Sequence, residues 1–220
     1  MTDPRISFSR AWRRTFWQVY DHLGLFVLIN LLWFLCSLTV IMLPSATASL
    51  FRISYLTAVK KPVTVGLFLR LILKYFLRST FLTIILAVLL FLLIFNIRFY
   101  LNFGGTWGLV LAGITFWILV FFVISTIYIF PLFTRRAKIW KPLFYSFILL
   151  INNFRTSLCL FICLSFLFFI QIILPIIGMS LLSSFAQNSF MEIESIYNPD
   201  IRIASPARAF KELIRPWEYR

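Results

Sequence analysis

The sequence is short of acid in its middle. Seven Asp and Glu stand against 21 Lys and Arg, a formal net charge of +14. The acids sit near the ends: Asp3 and Asp21 precede the first long apolar run, and Glu192, Glu194, Asp200, Glu212 and Glu218 follow the last. Between His22 and Met191 there is none. A relay of carboxylates at membrane depth is thereby excluded, and so is an oxygen-rich cation site there. Histidine occurs once, so a bis-histidine haem site is excluded too. His22 stays a candidate single ligand for a haem or chlorophyll metal, against its plainer reading as a polar anchor at the mouth of a span. The three cysteines, Cys36, Cys159 and Cys163, fall inside apolar runs with no other soft ligand nearby, and no metal site is expected. Gly-rich phosphate loops, nucleophile elbows and HExxH motifs are absent. The expectation is a protein that is not an enzyme and carries no cofactor.

What is abundant is apolar surface. Hydrophobic residues make up 61% of the 220 and charged ones 13%, where soluble domains run at about 45–50% and about 25%. A bilayer hides that surplus; water does not. The basic residues flank apolar stretches and keep company with Trp, Tyr and Phe, the pattern of membrane-interface anchors, so anionic lipid is the expected partner and nucleic acid is not.

These patterns predict an all-α, polytopic transmembrane helix bundle with four or five spans plus interfacial amphipathic helices. Residues 1–22 form an interfacial segment, with Phe8, Trp12, Phe16 and Tyr20 on one helical row and Arg10, Arg14 and Gln18 on another. Residues 23–190 form the transmembrane domain, and 191–220 a polar tail outside the lipid. The first span is 23–43, closed by Pro44; further spans are 81–101, 107–133 and 156–174. Residues 44–59 are a short crossing or a re-entrant helix, which decides between four and five. The basic stretches at 60–78 and 134–155 belong inside, and the N-terminus with them.

Arg70, Lys74 and Arg78 form one helical row, and Arg135, Arg136 and Lys138 cluster after the 107–133 span; both sets are expected to face anionic lipid. Ser45, Ser49, Gly104, Gly108 and Ala112 offer small surfaces for close helix packing. Arg52, Asn96 and Arg98 are polar groups within or beside apolar runs, so they are the candidates for contact with an anionic substrate, with snorkelling or interhelical bonding as the bland alternatives. A weak internal repeat also stands out. MLPSATASLF at 42–51 echoes ILPIIGMSLL at 173–182, each a span ending in Leu-Pro before a Ser-bearing helix.

The stretch INLLWFLCSLTVIMLPSATASLF at 29–51 resembles the Asn-Leu-Leu-Trp, Leu-Pro and small-residue pattern that opens the YesL-like family of bacterial membrane proteins, a domain of unknown function. The resemblance extends more loosely through the 81–101 span and the Gly104-Gly105 turn to about residue 185. It implies a multi-span protein of the bacterial inner membrane and no established activity or site residues. The leading expectation is a non-enzymatic accessory or structural subunit that binds partner membrane proteins and anionic lipid. The rivals are a transporter or transport accessory for a neutral or anionic solute such as a sugar, and a pigment- or haem-binding subunit using His22.

Overall fold

The computed structural model describes residues 8–135, 140–173 and 178–197, and every element in them is an α-helix. Arg136 and Lys138 lie outside the described residues, as does the tail beyond Tyr197. The helices are α1 (Phe8–Asp21), α2 (Leu23–Leu38), α3 (Leu43–Ala58), α4 (Val65–Phe103), α5 (Gly105–Arg135), α6 (Trp140–Asn152), α7 (Phe154–Ile173) and α8 (Gly178–Tyr197).

Local chemistry sets most of the breaks. The α2–α3 turn begins where the Ser37 and Thr39 hydroxyls donate to the carbonyls of Phe34 (2.6 Å) and Cys36 (2.7 Å), competing with the helical ladder. Pro44 then opens α3, at the end of a helix where a missing N–H costs nothing. Thr64 caps α4, its hydroxyl accepting from Leu67 N at 3.2 Å. Gly104 and Gly105, at φ 72° and 73°, turn the chain from α4 into α5 through a region other residues rarely adopt. Between α6 and α7 the side chain of Asn153 donates to Leu149 O at 3.3 Å, and the two helices meet at a bend of 108°. α1 and α2 meet at 90°.

Of these helices, α4 and α5 alone are long and apolar enough to cross a membrane; counting each bent pair as one broken span gives up to four. From Val65 on, the basic stretch expected at 60–78 and the span at 81–101 are one continuous helix. At 39 residues and 1.5 Å each, it is about 58 Å long. The expected short crossing or re-entrant helix at 44–59 is α3, Leu43–Ala58, whose first residue is exposed and whose Pro44 to Phe51 are all buried.

Two packing patterns divide the molecule. Around α3 and α8, polar groups point inward. α3 buries Ser45, Thr47, Ser49, Ser54 and Thr57, and α8 buries Ser180, Ser183, Ser184, Gln187, Asn188 and Glu192. The aromatic row of α1, Trp12, Phe16 and Tyr20, points outward while Thr15 is buried. An exposed aromatic row of this kind suits an apolar surrounding better than water, although α1 also buries Ala11, Trp17 and Val19. In the hairpin of α4 and α5 there is little interior at all: no residue from 83 to 107 is buried.

The expected acid-free core is corrected here. α8 runs without interruption through residue 191, where the sequence pattern starts a polar tail, and carries Glu192 and Glu194 into the bundle. Glu192 is only 6% exposed. An ion partner resolves the cost of that burial: Arg14 Nη1 lies 2.5 Å from Glu192 Oε1, and Arg135 pairs with Glu194.

Candidate functional site

A row at four-residue steps along α8, Ser180, Ser184, Asn188 and Glu192, binds α2, α3 and then α1 at its last two steps. The hydroxyl of Ser180 donates to Asn30 Oδ1 on α2 (3.0 Å), and that of Ser184 to Ser54 Oγ on α3 (3.2 Å). The Asn188 amide donates to Thr15 Oγ1 (3.0 Å) and Gln18 Oε1 (2.9 Å) on α1, and Glu192 takes Arg14. Gln18 closes the ring by donating to Ser54 O at 2.8 Å. The row also fixes direction. α2 and α1 meet α8 in descending order of residue number, while α3 lies against α2 through Trp33 and Thr47 and against α1 through Ser54 and Gln18. α3 and α8, the helices that follow the two Leu-Pro sequences, therefore run in the same sense side by side.

Arg135 occupies the neighbouring position and does not face lipid, contrary to the expectation from its basic cluster. Its guanidinium sits 4.4 Å from the Tyr55 ring centroid and 4.8 Å from that of Phe190, beside Glu194. With its amide oxygen turned toward the same group, Gln187 accepts from Arg135 Nε (3.2 Å) and Nη2 (3.0 Å). Arg52 is engaged as well. Its Nη1 donates to Thr134 O at 3.1 Å, and Tyr75 Oη donates to that oxygen at 3.4 Å, so both cap carbonyls in the last turn of α5.

The remaining sequence candidates are dispersed. Arg70, Lys74 and Arg78 are exposed along α4, and Asn96 and Arg98 are exposed farther along the same helix. Ser45 and Ser49 are buried in α3, and Gly108 and Ala112 in the hairpin. Gly108 sits so close to α4 that a Cβ there would lie 2.6 Å from Tyr100 O. Gly104 forms the turn, and a Cβ added there would meet open space. No group of three or more His, Cys, Asp or Glu is placed to hold a metal among the described residues.

His22 lies instead on a cleft of about 730 Å³ where the α1–α2 junction faces the end of α3. Trp17, Thr57 and Ala58 are buried in its floor, whereas Asp21, His22, Lys60, Lys61 and Pro62 are exposed at its rim. Arg14, Gln18, Leu25 and Val63 complete the lining. Burial draws the Arg14 guanidinium below its ordinary pKa, Glu192 pulls it back up, and Arg10 lowers it again.

The two lysines belong to a specific helix ending. Lys61 N donates to Leu56 O (2.9 Å) and Lys60 N to Thr57 O (3.0 Å), the paired bonds of a Schellman motif. Lys60 takes the left-handed position at φ 55°, where glycine is usual and another residue costs about 1–2 kcal/mol.

Sequence reasoning missed Glu192, Glu194, Asn188, Gln187 and the inward turn of Arg14 and Arg135. The available signal was the four-residue row of polar residues in α8.

Residues 26–97, which cover most of α2, all of α3, the Lys60-Lys61 turn and most of α4, match a family model described as a protein of unknown function, DUF624. No curated protein and no solved structure matches the chain. Over these residues the chain matches the YesL-like family of bacterial membrane proteins, a family of unknown function.

Proposed function

We propose that this is a non-enzymatic protein of the bacterial inner membrane, an accessory or structural subunit whose α4–α5 hairpin docks against helices of a partner membrane protein while its basic faces meet anionic headgroups. The observation that carries the reading is the bareness of the hairpin. In the most apolar stretch of α4 only 6% of residues are buried, against 28% in that of α5. Lipid covers exposed Phe91, Phe95 and Trp117 equally well, but it offers nothing to the exposed amide of Asn96 among them. A partner helix supplies that hydrogen bond, worth roughly 0.6–2 kcal/mol in a membrane.

In this reading α2–α3 and α7–α8 each enter the bilayer and return on the side they left, α4 and α5 cross it, and both chain ends are cytoplasmic. The support is the bonding of late α8 to α1, together with basic residues early in α1 (Arg10, Arg13), just past the end of α3 (Lys60, Lys61) and at the end of α5 (Arg135). A fixed partner then co-purifies with the tagged chain after mild extraction, and Asn96→Leu releases it without loss of the chain itself. Recovery of a lone monomer under those conditions sinks the reading.

A second reading, a transport accessory, draws on the paired order of amphipathic helix, sharp bend, apolar helix and buried small-residue helix in α1–α3 and α6–α8. Uptake by proteoliposomes of the isolated chain would favour it over the first.

A further inference from the structure

We propose that the cleft between the α1–α2 junction and the Lys60-Lys61 turn is a binding site for a phosphate ester, with the phosphate at Lys60 and Lys61 and the ligand's apolar part over Trp17, Leu25 and Val63. This deepens the headgroup-binding part of the reading above and rests on it only for the ligand's access from the membrane.

Four observations converge. The volume, about 730 Å³, lies in the range of pockets that enclose a small ligand. Trp17, Leu25, Ala58 and Val63 give the lining an apolar and aromatic part while Lys60 and Lys61 stand exposed at the rim beside Asp21 and His22, an arrangement that suits an amphiphile better than a bare ion. Among the described residues neither Lys60 nor Lys61 is held in an ion pair, whereas Arg14, the other strong cation in the lining, is committed to Glu192. Finally, Lys60 stands in the left-handed position of a Schellman motif, where glycine closes the helix with less strain. Helix termination explains the backbone there and does not explain the lysine.

Two sources supply this chemistry: the headgroup of an anionic lipid or a soluble phosphate ester. The full chain, purified in a neutral maltoside detergent, is titrated with dihexanoyl phosphatidylglycerol, with glycerol 3-phosphate, and with phosphate-free dihexanoylglycerol. Binding is read from the part of the tryptophan emission that disappears in Trp17→Phe. A saturable change is expected with one or both phosphates and none with dihexanoylglycerol. Response to the lipid alone assigns the occupant to the bilayer, and response to glycerol phosphate assigns it to a soluble ester. No saturable change with either phosphate, or an equal change with dihexanoylglycerol, overturns the proposal.

Lys60→Gly with Lys61→Gln separates ligand from scaffold, because glycine suits the left-handed position. Affinity is expected to fall about tenfold or more, with the unfolding temperature unchanged or raised. Arg70→Gln, Lys74→Gln and Arg78→Gln together, outside the cleft, are expected to leave affinity intact. Unchanged binding in the lysine variant, or equal losses in both, overturns the cleft as the site. Sedimentation of the same variants with phosphatidylglycerol vesicles tests the broader headgroup reading separately, since it survives if the α4 row alone governs that binding.

Discussion

α8 and the α4–α5 hairpin meet the surplus of apolar side chains in opposite ways. α8 turns nearly all its polar groups inward and gives most of them partners on α1, α2, α3 or α5, the buried Ser189 hydroxyl being an exception, so its position is specified by hydrogen bonds and ion pairs inside the protein. The hairpin has almost no such partners; from residue 83 to 107 no residue is buried and most are exposed, and the buried residues Gly108, Ala112 and Thr115 lie early in α5. One region carries its own specification, and the other takes its stability from whatever surrounds it. In a bilayer this division is sensible, because lipid tails solvate Phe and Leu without cost but leave buried amides and charges to be satisfied by protein.

The sharpest way to break the comparison is to remove a charge from the polar seam. Glu192→Leu leaves Arg14 with its ion partner gone and its guanidinium largely enclosed, and is expected to destabilise the bundle by about 3–5 kcal/mol. The double change Arg14→Met with Glu192→Leu restores most of this, since an apolar pair of similar size replaces the ions. Denaturant unfolding in detergent micelles measures both. A single variant as stable as the parent would mean that α8 is held by its apolar face alone.

In the hairpin the corresponding weak point is steric. Gly108→Val places a Cβ where Tyr100 O lies 2.6 Å away, and a backbone oxygen does not move aside as a flexible side chain does. The helices must separate, at about 1–3 kcal/mol. Spin labels at residues 92 and 119 are expected to move apart in the variant, while α8 keeps its contacts. If the label distance is unchanged, the close approach of α4 and α5 is not what sets the hairpin's width.

The membrane class, the hairpin turn and the helical character were legible because composition, Gly104-Gly105 and long apolar runs act locally. Its YesL-like character was legible for a similar reason: the pattern from Ile29 to Phe51 lies within one contiguous α2–α3 unit. The seam was not legible. Glu192 follows the last apolar run, so its polarity reads as an exit from the membrane; only packing against Arg14, 178 positions earlier, turns it inward. Arg135 reads as an interfacial cation for the same reason, since its partners Tyr55, Gln187 and Glu194 are remote in sequence. The cleft also depends on remote pieces: Trp17 and His22 come from one end of the chain's first turn and Lys60 and Lys61 from another. No short window contains both. What a closer look at sequence alone would have yielded is the row Ser180, Ser184, Asn188 and Glu192, which at four-residue spacing has to share one helix face.

The smallest expected effects test whether the seam works by many weak bonds around a few strong ones. Ser54 Oγ lies 3.0 Å from Ser183 Oγ and accepts from Ser184 Oγ at 3.2 Å. Ser183 has an alternative in the carbonyl of Ser180 at 3.2 Å, so Ser54→Ala strands only the Ser184 hydroxyl. Interhelical bonds of this kind average about 0.6 kcal/mol in membrane proteins, and a double-mutant cycle of Ser54→Ala with Ser184→Ala is expected to return a coupling near that value. Asn96→Leu in the hairpin, by contrast, removes an exposed amide that has no partner among the described residues and is expected to leave the isolated protein's stability unchanged within about 0.5 kcal/mol. A coupling as large as the loss from Glu192→Leu would put the hydroxyls on a par with the ion pair. A marked destabilisation by Asn96→Leu would show that the hairpin, too, is specified from within, and the division between the two regions would fall.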